Sequence, residues 1–437
     1  MKLPFPNAPS ATAAMALLLS GLLSAPAAAR VYDRVEVRGA QFVPERDIRL
    51  TCGAAAGIDY FDAELRAIEE CLMSTGVFDA VRLFSEADTL VIEVEETDLR
   101  PGRVEGSVMY DSQDEVTLGF SFERYNLFPG TFGAFHVDIA RQARRLDAGL
   151  YRSDAFGETL DAGLDLAGYR TEYDDLAYHG ESLRGAPLLA WTPSEDLRIE
   201  AGAGWRRHRM SGVETDASAL LRQEAGTVSA PYLRLGLDYA PRGDADEAGD
   251  DGRPAPAVVL GLDQYLWNLG HDAALSETRL RADAQMALGG AMRLLAGLGA
   301  GRVQGLTGRA TRAVDRFHPG ADTFRGFAPR GIGPRDRGDA LGANSYVIAS
   351  LELQREIAEI RRHDLRAGVF TDIGSAWDLD DTLGGRIDDA AHLRATLGLS
   401  LAMDLDGTPA SLYLARPVLD EPGDRGQVFG LSVSLAF

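Results

Sequence analysis

The sequence predicts a small α+β domain followed by an all-β, sixteen-stranded antiparallel transmembrane barrel. Three observations carry that prediction. Residues 31–97 mix helical and strand periodicity. From Pro101 to the end, apolar residues recur at every second position. The connections between those alternating stretches are themselves alternately tight and long.

Residues 1–29 read as an export signal. Lys2 supplies the positive start, Ala13–Leu19 the apolar centre, and Ala27, Ala28 and Ala29 a small-residue cleavage site before Arg30. The apolar run is too short to span a bilayer, and Pro26 follows it. The expected organisation is a signal peptide over 1–29, the small domain over 30–98 and the barrel over 99–437. No later stretch approaches the roughly 18 consecutive apolar residues of a membrane helix. The 44 Lys+Arg against 66 Asp+Glu, a net charge of −22, argue against a nucleic-acid partner, because phosphates need a basic face. Cys52 and Cys71 are the two cysteines. In an oxidising compartment they favour a disulfide. Residues 30–97 contain no histidine, so a zinc site lacks ligands.

In the front segment Val31, Val35 and Val37 suggest a strand ending at Arg38-Gly39, and Pro44 lies in the first turn of a helix. From Asp62, a second helix puts Leu65, Ile68 and Leu72 on one face, and Gly76 ends it. Strands follow at Val77–Leu83 and Leu90–Val94. Val35-Glu-Val-Arg-Gly39, Thr75-Gly-Val-Phe78 with Val81, and Leu90-Val-Ile-Glu-Val-Glu95 carry a resemblance to a POTRA domain. That resemblance implies a periplasmic module whose exposed sheet edge can add a client strand.

The barrel pattern is regular. Leu118, Phe120 and Phe122 alternate with small or polar residues. So do Leu197–Trp205, Leu233–Tyr239 and Leu393–Leu401, and the chain ends on Phe429, Leu431, Val433, Leu435 and Phe437. Such alternation with a terminal phenylalanine reads as a membrane barrel rather than a soluble sandwich. Sixteen strands are expected, beginning near 103, 115, 131, 144, 158, 177, 197, 227, 256, 274, 291, 343, 362, 391, 409 and 427. Tight turns are expected near Asp154, Pro193, Gly289 and Asp406, and long connections after the seventh, eleventh and thirteenth strands. The acidic stretch Asp244–Gly252 reads as a solvated turn rather than a calcium loop, whose spacing it does not match.

The connection at 305–342 contains Thr323-Phe-Arg-Gly-Phe-Ala-Pro-Arg-Gly-Ile-Gly-Pro-Arg-Asp336. With Leu351-Glu-Leu353, Phe370-Thr-Asp-Ile-Gly374, Glu123-Arg-Tyr-Asn-Leu-Phe128 and Leu414-Ala-Arg-Pro417, it resembles the BamA/TamA-type outer-membrane assembly factors. The resemblance implies that the loop bearing Arg325, Gly326, Phe327, Gly333 and Pro334 folds into the lumen. There Arg325 would meet Glu352 and Asp372 on the wall, beside Gly374. A guanidinium presents a fork of donors suited to two carboxylates, and Gly326 allows close backbone approach.

The function so implied is to assist insertion or translocation of unfolded client polypeptides in the outer membrane, without cofactor, metal or catalytic group. The seam would lie between Val104–Tyr110 and Gln427–Phe437, where Gly430 beside Phe429 lightens the last strand. Lipids and periplasmic or inner-membrane proteins are the other expected partners. Room for one POTRA domain points to an accessory or specialised relative. A passive channel and a two-partner secretion transporter are the alternatives. An enzyme is disfavoured: no Gly-x-Ser-x-Gly or His-Glu-x-x-His occurs, the histidines are scattered, and Asp174-Asp175 and Asp380-Asp381 have no histidine in register with them.

Overall fold

This computed structural model describes residues 30–436 apart from 41–42, 97–101, 112–113, 126, 129, 158, 195, 242–256, 290, 361–362 and 406–407. The expected signal segment, the acidic stretch 244–252, Asn126, the turn at Asp406 and Phe437 therefore lie outside the described residues. The chain divides into two units, Met1–Asp98 and Leu99–Phe437.

In the first unit, strand β1 (Arg34–Arg38), helices α1 (Glu45–Thr51) and α2 (Asp62–Ser74), and strands β2 (Phe78–Glu86) and β3 (Thr89–Glu96) follow in chain order. β3 lies in the middle of the sheet, parallel to β1 and antiparallel to β2. Its central position explains its apolar run, since Leu90, Val91 and Ile92 are all fully buried. Ile68 and Leu72 of α2 pack with Ile48, Val35, Val37 and Phe78 into one core. Gly76, at φ +68°, ends the helix in the left-handed region that lacks a Cβ penalty.

Two expectations need correction here. Val31 does not continue into β1; it pairs with Asp59 and is exposed. Pro44 caps α1 from outside its first turn, its carbonyl accepting from Asp47 and Ile48. Cys52 and Cys71 form a disulfide with Cα atoms 5.9 Å apart, tying the end of α1 to α2.

The second unit is an antiparallel barrel of sixteen strands among the described residues, ordered in sequence around the ring. They are β4 (Arg103–Asp111), β5 (Glu115–Tyr125), β6 (Phe132–Ala140), β7 (Ala143–Arg152), β8 (Leu160–Thr171), β9 (His179–Ser194), β10 (Leu197–Ser211) and β11 (Gly226–Tyr239). The second half holds β12 (Ala257–Trp267), β13 (Leu275–Gly289), β14 (Met292–Gly305), β15 (Ser345–Ile360), β16 (His363–Trp377), β17 (Arg394–Leu405), β18 (Thr408–Leu419) and β19 (Phe429–Ala436). Register keeps the apolar set together. Leu164, Leu189, Leu235, Leu280 and Leu351 lie on the outward parity and are exposed, as lipid-facing residues of a barrel must be. Inward positions carry the charge, with Arg198, Glu200, Arg234 and Asp263 linked across three strands.

Long connections follow the seventh, eleventh and thirteenth strands, at 212–225, 306–344 and 378–393. The first of these contains α3 (Ala219–Glu224). Pro193 is not in a turn, because β9 runs on to Ser194 and the reversal comes after it. The connection through Asp154 is longer than a tight turn, running from 153 to 159.

A disulfide closing a loop of this size stabilises by about 3 kcal/mol. Replacing Cys52 and Cys71 by alanine in the full chain should therefore lower the denaturant concentration at which a protease cuts within residues 30–96, leaving the barrel resistant. Unchanged protection of that segment would show that the core alone holds it.

Candidate functional site

The connection 306–344 packs back against the inner wall, and buried pairs hold it along its length. Arg316 is fully enclosed. It is paired with Glu224 at the end of α3 and donates to the carbonyl of Leu341. Asp315 receives hydrogen bonds from Arg312 at 2.9 Å and Arg206 at 3.1 Å, and contacts His208. Arg330 forks onto both oxygens of Asp175 at 2.7–3.1 Å and lies over the Tyr173 ring. Burial pushes the His318 imidazole down to about 4, so it is neutral at physiological pH, with Nε2 donating to Ala313 O.

Arg325 makes the most elaborate of these contacts. Its Nε and Nη2 donate to the two oxygens of Asp372, at 3.0 and 2.8 Å, and its backbone N–H adds a third bond to the same carboxylate. Nη1 donates to Glu352, and Nη2 also donates to Ser350 at 2.8 Å. The guanidinium lies 3.5 Å from the Phe370 ring centroid. Register explains why these groups meet. Ser350 faces Asp372 and Glu352 faces Phe370 on paired strands β15 and β16, so four inward positions form one square. Glu352 is completed by Ser400 and Gln354. Asp372 is 2% exposed and Glu352 6%, so both depend on Arg325 for charge compensation.

The neighbouring loop residues serve packing. Gly326 has φ +94°, and a Cβ there would sit 2.9 Å from Thr396. Phe327 is wholly buried, edge-on to Phe324, in a cluster with Ile332, Ala343 and Ile348. Gly374 is no partner of Arg325; a Cβ there would strike Ile348 of that cluster. Gly333 and Pro334 shape the return of the loop, with Leu341 N–H donating to Pro334 O. The acidic pairs have structural duties: Asp174 binds Arg141, Asp175 binds Arg330, Asp380 accepts from Thr311 N–H, and Asp381 accepts from Leu383 N–H.

The loop also reaches the last strand by two routes. Ala328 N–H donates to Arg425 O, Arg425 N–H to Gly331 O, and Gln427 N–H to Gly326 O. Through the wall, Phe370 stands edge-on to Tyr413, and a Cβ on Gly430 would fall 2.1 Å from the Tyr413 ring. Gly430 thus makes room for that ring. Ser350 and Tyr413 were not singled out from sequence, and Phe370 was read only as part of the Phe-x-Asp-x-Gly motif. Their inward parity was readable, but their position across three strands from Arg325 was not.

Residues 258–437 match the Omp85 superfamily domain, and this stretch includes the Arg325 loop with the wall that receives it. The back of this chain carries an Omp85 superfamily domain, and the chain as a whole is similar to BamA-type proteins. Outer membrane protein assembly factor BamA of Neorickettsia risticii (strain Illinois) is 24% identical over 367 residues, covering 81% of this chain and 48% of the relative. The chain therefore spans about half the length of that curated relative. Among solved structures, BamA from Haemophilus ducreyi lacking POTRA domains 1–3 superposes with a TM-score of 0.74 at 17% identity, over 93% of this chain and 85% of that one. CdiB from Escherichia coli superposes at 0.55 and 13% identity, over 94% and 77%.

Breaking a buried ion pair from one side costs about 3–5 kcal/mol, because the other charge stays enclosed. Arg325→Ala should thus lower the unfolding midpoint of the barrel, read as loss of heat-modifiable gel mobility. Arg325→Lys should recover only part of it, lacking the planar fork. An Arg325→Ala midpoint equal to wild type would refute this role.

Proposed function

We propose that this barrel sits in an outer membrane and assists the insertion or translocation of client polypeptides, as an accessory or specialised relative of the assembly factors. Residues 30–96 act in this reading as a single periplasmic POTRA domain. Its three-stranded sheet leaves β1 and β2 as edges, with backbone donors and acceptors available to an extended client.

The observation that carries the reading is the closing seam. Among the described residues, β19 pairs with β4 only through Val433–Ala436 against Ser107–Tyr110, whereas β15 and β16 pair from Ser345 to Ile360. Arg103–Gly106 pair with β5 but with no described residue of β19. An unpaired strand edge in a bilayer is costly, and a client strand that pairs with it satisfies the same groups. No nucleotide is required. Client folding and burial of apolar side chains in lipid supply the free energy. The Arg325 loop, joined to Arg425 and Gln427 just before β19, sets where that strand begins.

Val108 and Leu435 are directly paired across the seam. A Val108→Cys/Leu435→Cys variant, oxidised, should fold and yet lose support of client assembly, with recovery on reduction; wild type treated with the same reductant controls for Cys52–Cys71. Full activity of the cross-linked barrel would rule out a route through this seam. Depleting the protein should lower a restricted set of outer-membrane proteins in a quantitative proteome, and an unaltered proteome would overturn the assembly reading.

A further inference from the structure

The outward face of the barrel carries a basic patch that none of the preceding contacts uses. Arg144 on β7 is directly opposite Arg170 on β8, Arg170 opposite Glu181 on β9, Glu181 opposite Arg209 on β10, and Arg209 opposite Thr227 on β11. Two residues along β10 from Arg209, Arg207 stands opposite Leu183. All four arginines share the parity of Ile139, Leu183 and Trp205, which are exposed outward residues. The next level down the wall is Leu166, Gly185 and Trp205, the start of the apolar band. Trp205 is 56% exposed, and its indole N–H is bonded to Ser229 at 2.8 Å. An outward tryptophan at the edge of an apolar band marks the headgroup level of a membrane. Arg207 is therefore one level above it and Arg144, Arg170 and Arg209 two, at the end of the barrel that bears the connections 172–178, 212–225 and 306–344.

The charges of this patch are poorly answered from within the protein. Arg170 is held by Glu172 at 2.8 Å. Arg144, Arg207 and Arg209 are exposed, and among the described residues none has a hydrogen bond or ion pair. Glu172 also feels the charge of Arg144, and Glu181 lies within the row. Four arginines thus face two glutamates, a local positive excess in a chain of net charge −22. Like charges directly opposite on paired strands destabilise a sheet, so the Arg144–Arg170 pairing implies counter-charge from outside. Guanidinium forks suit phosphate oxygens, and the row spans four strands, roughly 15 Å at about 4.8 Å per strand.

We propose that this face docks a phosphorylated glycolipid of the leaflet on the long-connection side, its phosphates held by Arg144, Arg207 and Arg209 and its acyl chains lying along Leu183 and Trp205. A row this wide fits two phosphates separated by a sugar unit better than one. The site is independent of the client-assembly role and rests only on the reading that the barrel lies in an outer membrane.

The test uses the full chain in detergent micelles, incubated with lipid A, with its dephosphorylated form or with phosphatidylglycerol, then gel-filtered and assayed for retained lipid. Wild type should retain lipid A in preference to the other two. Arg144→Gln/Arg207→Gln/Arg209→Gln should weaken retention about tenfold or more, while the corresponding triple lysine variant keeps most of it. Heat-modifiable mobility verifies that each variant is folded. Equal retention of the dephosphorylated lipid or of phosphatidylglycerol by wild type, or unchanged retention of lipid A by the folded glutamine variant, would overturn the site.

Discussion

A guanidinium enclosed by two carboxylates is stable only where the geometry of all three is imposed from outside, and in this barrel the strand register imposes it. Desolvation opposes each charge separately. Arg325, Asp372 and Glu352 escape that penalty because Ser350, Gln354 and Ser400 complete the donors and the Phe370 ring covers the cation's face. The arrangement ties a 306–344 connection with little regular structure to two long wall strands. Burial of Phe324 and Phe327 beside Ile348 adds an apolar anchor to the same loop.

The same wall links that arginine to the place where the barrel closes. Phe370 passes from the Arg325 face to Tyr413, and Tyr413 fills the space that Gly430 leaves on β19. A second link runs through backbone hydrogen bonds to Arg425 and Gln427. The approach to the last strand is thus held by the loop, while the strand itself is paired with β18 and, over a short register, with β4. A sheet edge that is short and held from one side can exchange partners without disturbing the rest of the ring.

Charge is distributed unevenly about this frame. The net charge of −22 describes the chain as a whole but neither of its surfaces. Inside, arginines and carboxylates alternate across strands and neutralise one another. Outside, four arginines collect above Trp205. The composition excluded a nucleic-acid face, and it was silent on a patch of this size, because alternate residues of one strand serve opposite sides of the wall. Arg206 and Arg207 illustrate this: the first reaches Asp315 in the lumen, the second faces out beside Leu183.

Period and punctuation in the sequence were enough for the strands. Alternation at 197–205 or 233–239 admits one pairing face, since a one-residue slip would turn every leucine inward. The strand starts read from sequence fall within a few residues of those observed. That Arg325 would meet Asp372 was what the resemblance of their motifs to the BamA/TamA-type factors implied, and strand periodicity does not carry it. Tertiary structure alone decided which side chains share a level of the wall. Levels depend on the stagger between strands, and no single strand records it. For that reason Ser350, Phe370 and Tyr413 beside Arg325, Asp175 beneath Arg330, and Arg144 facing Arg170 appear only when the ring is closed.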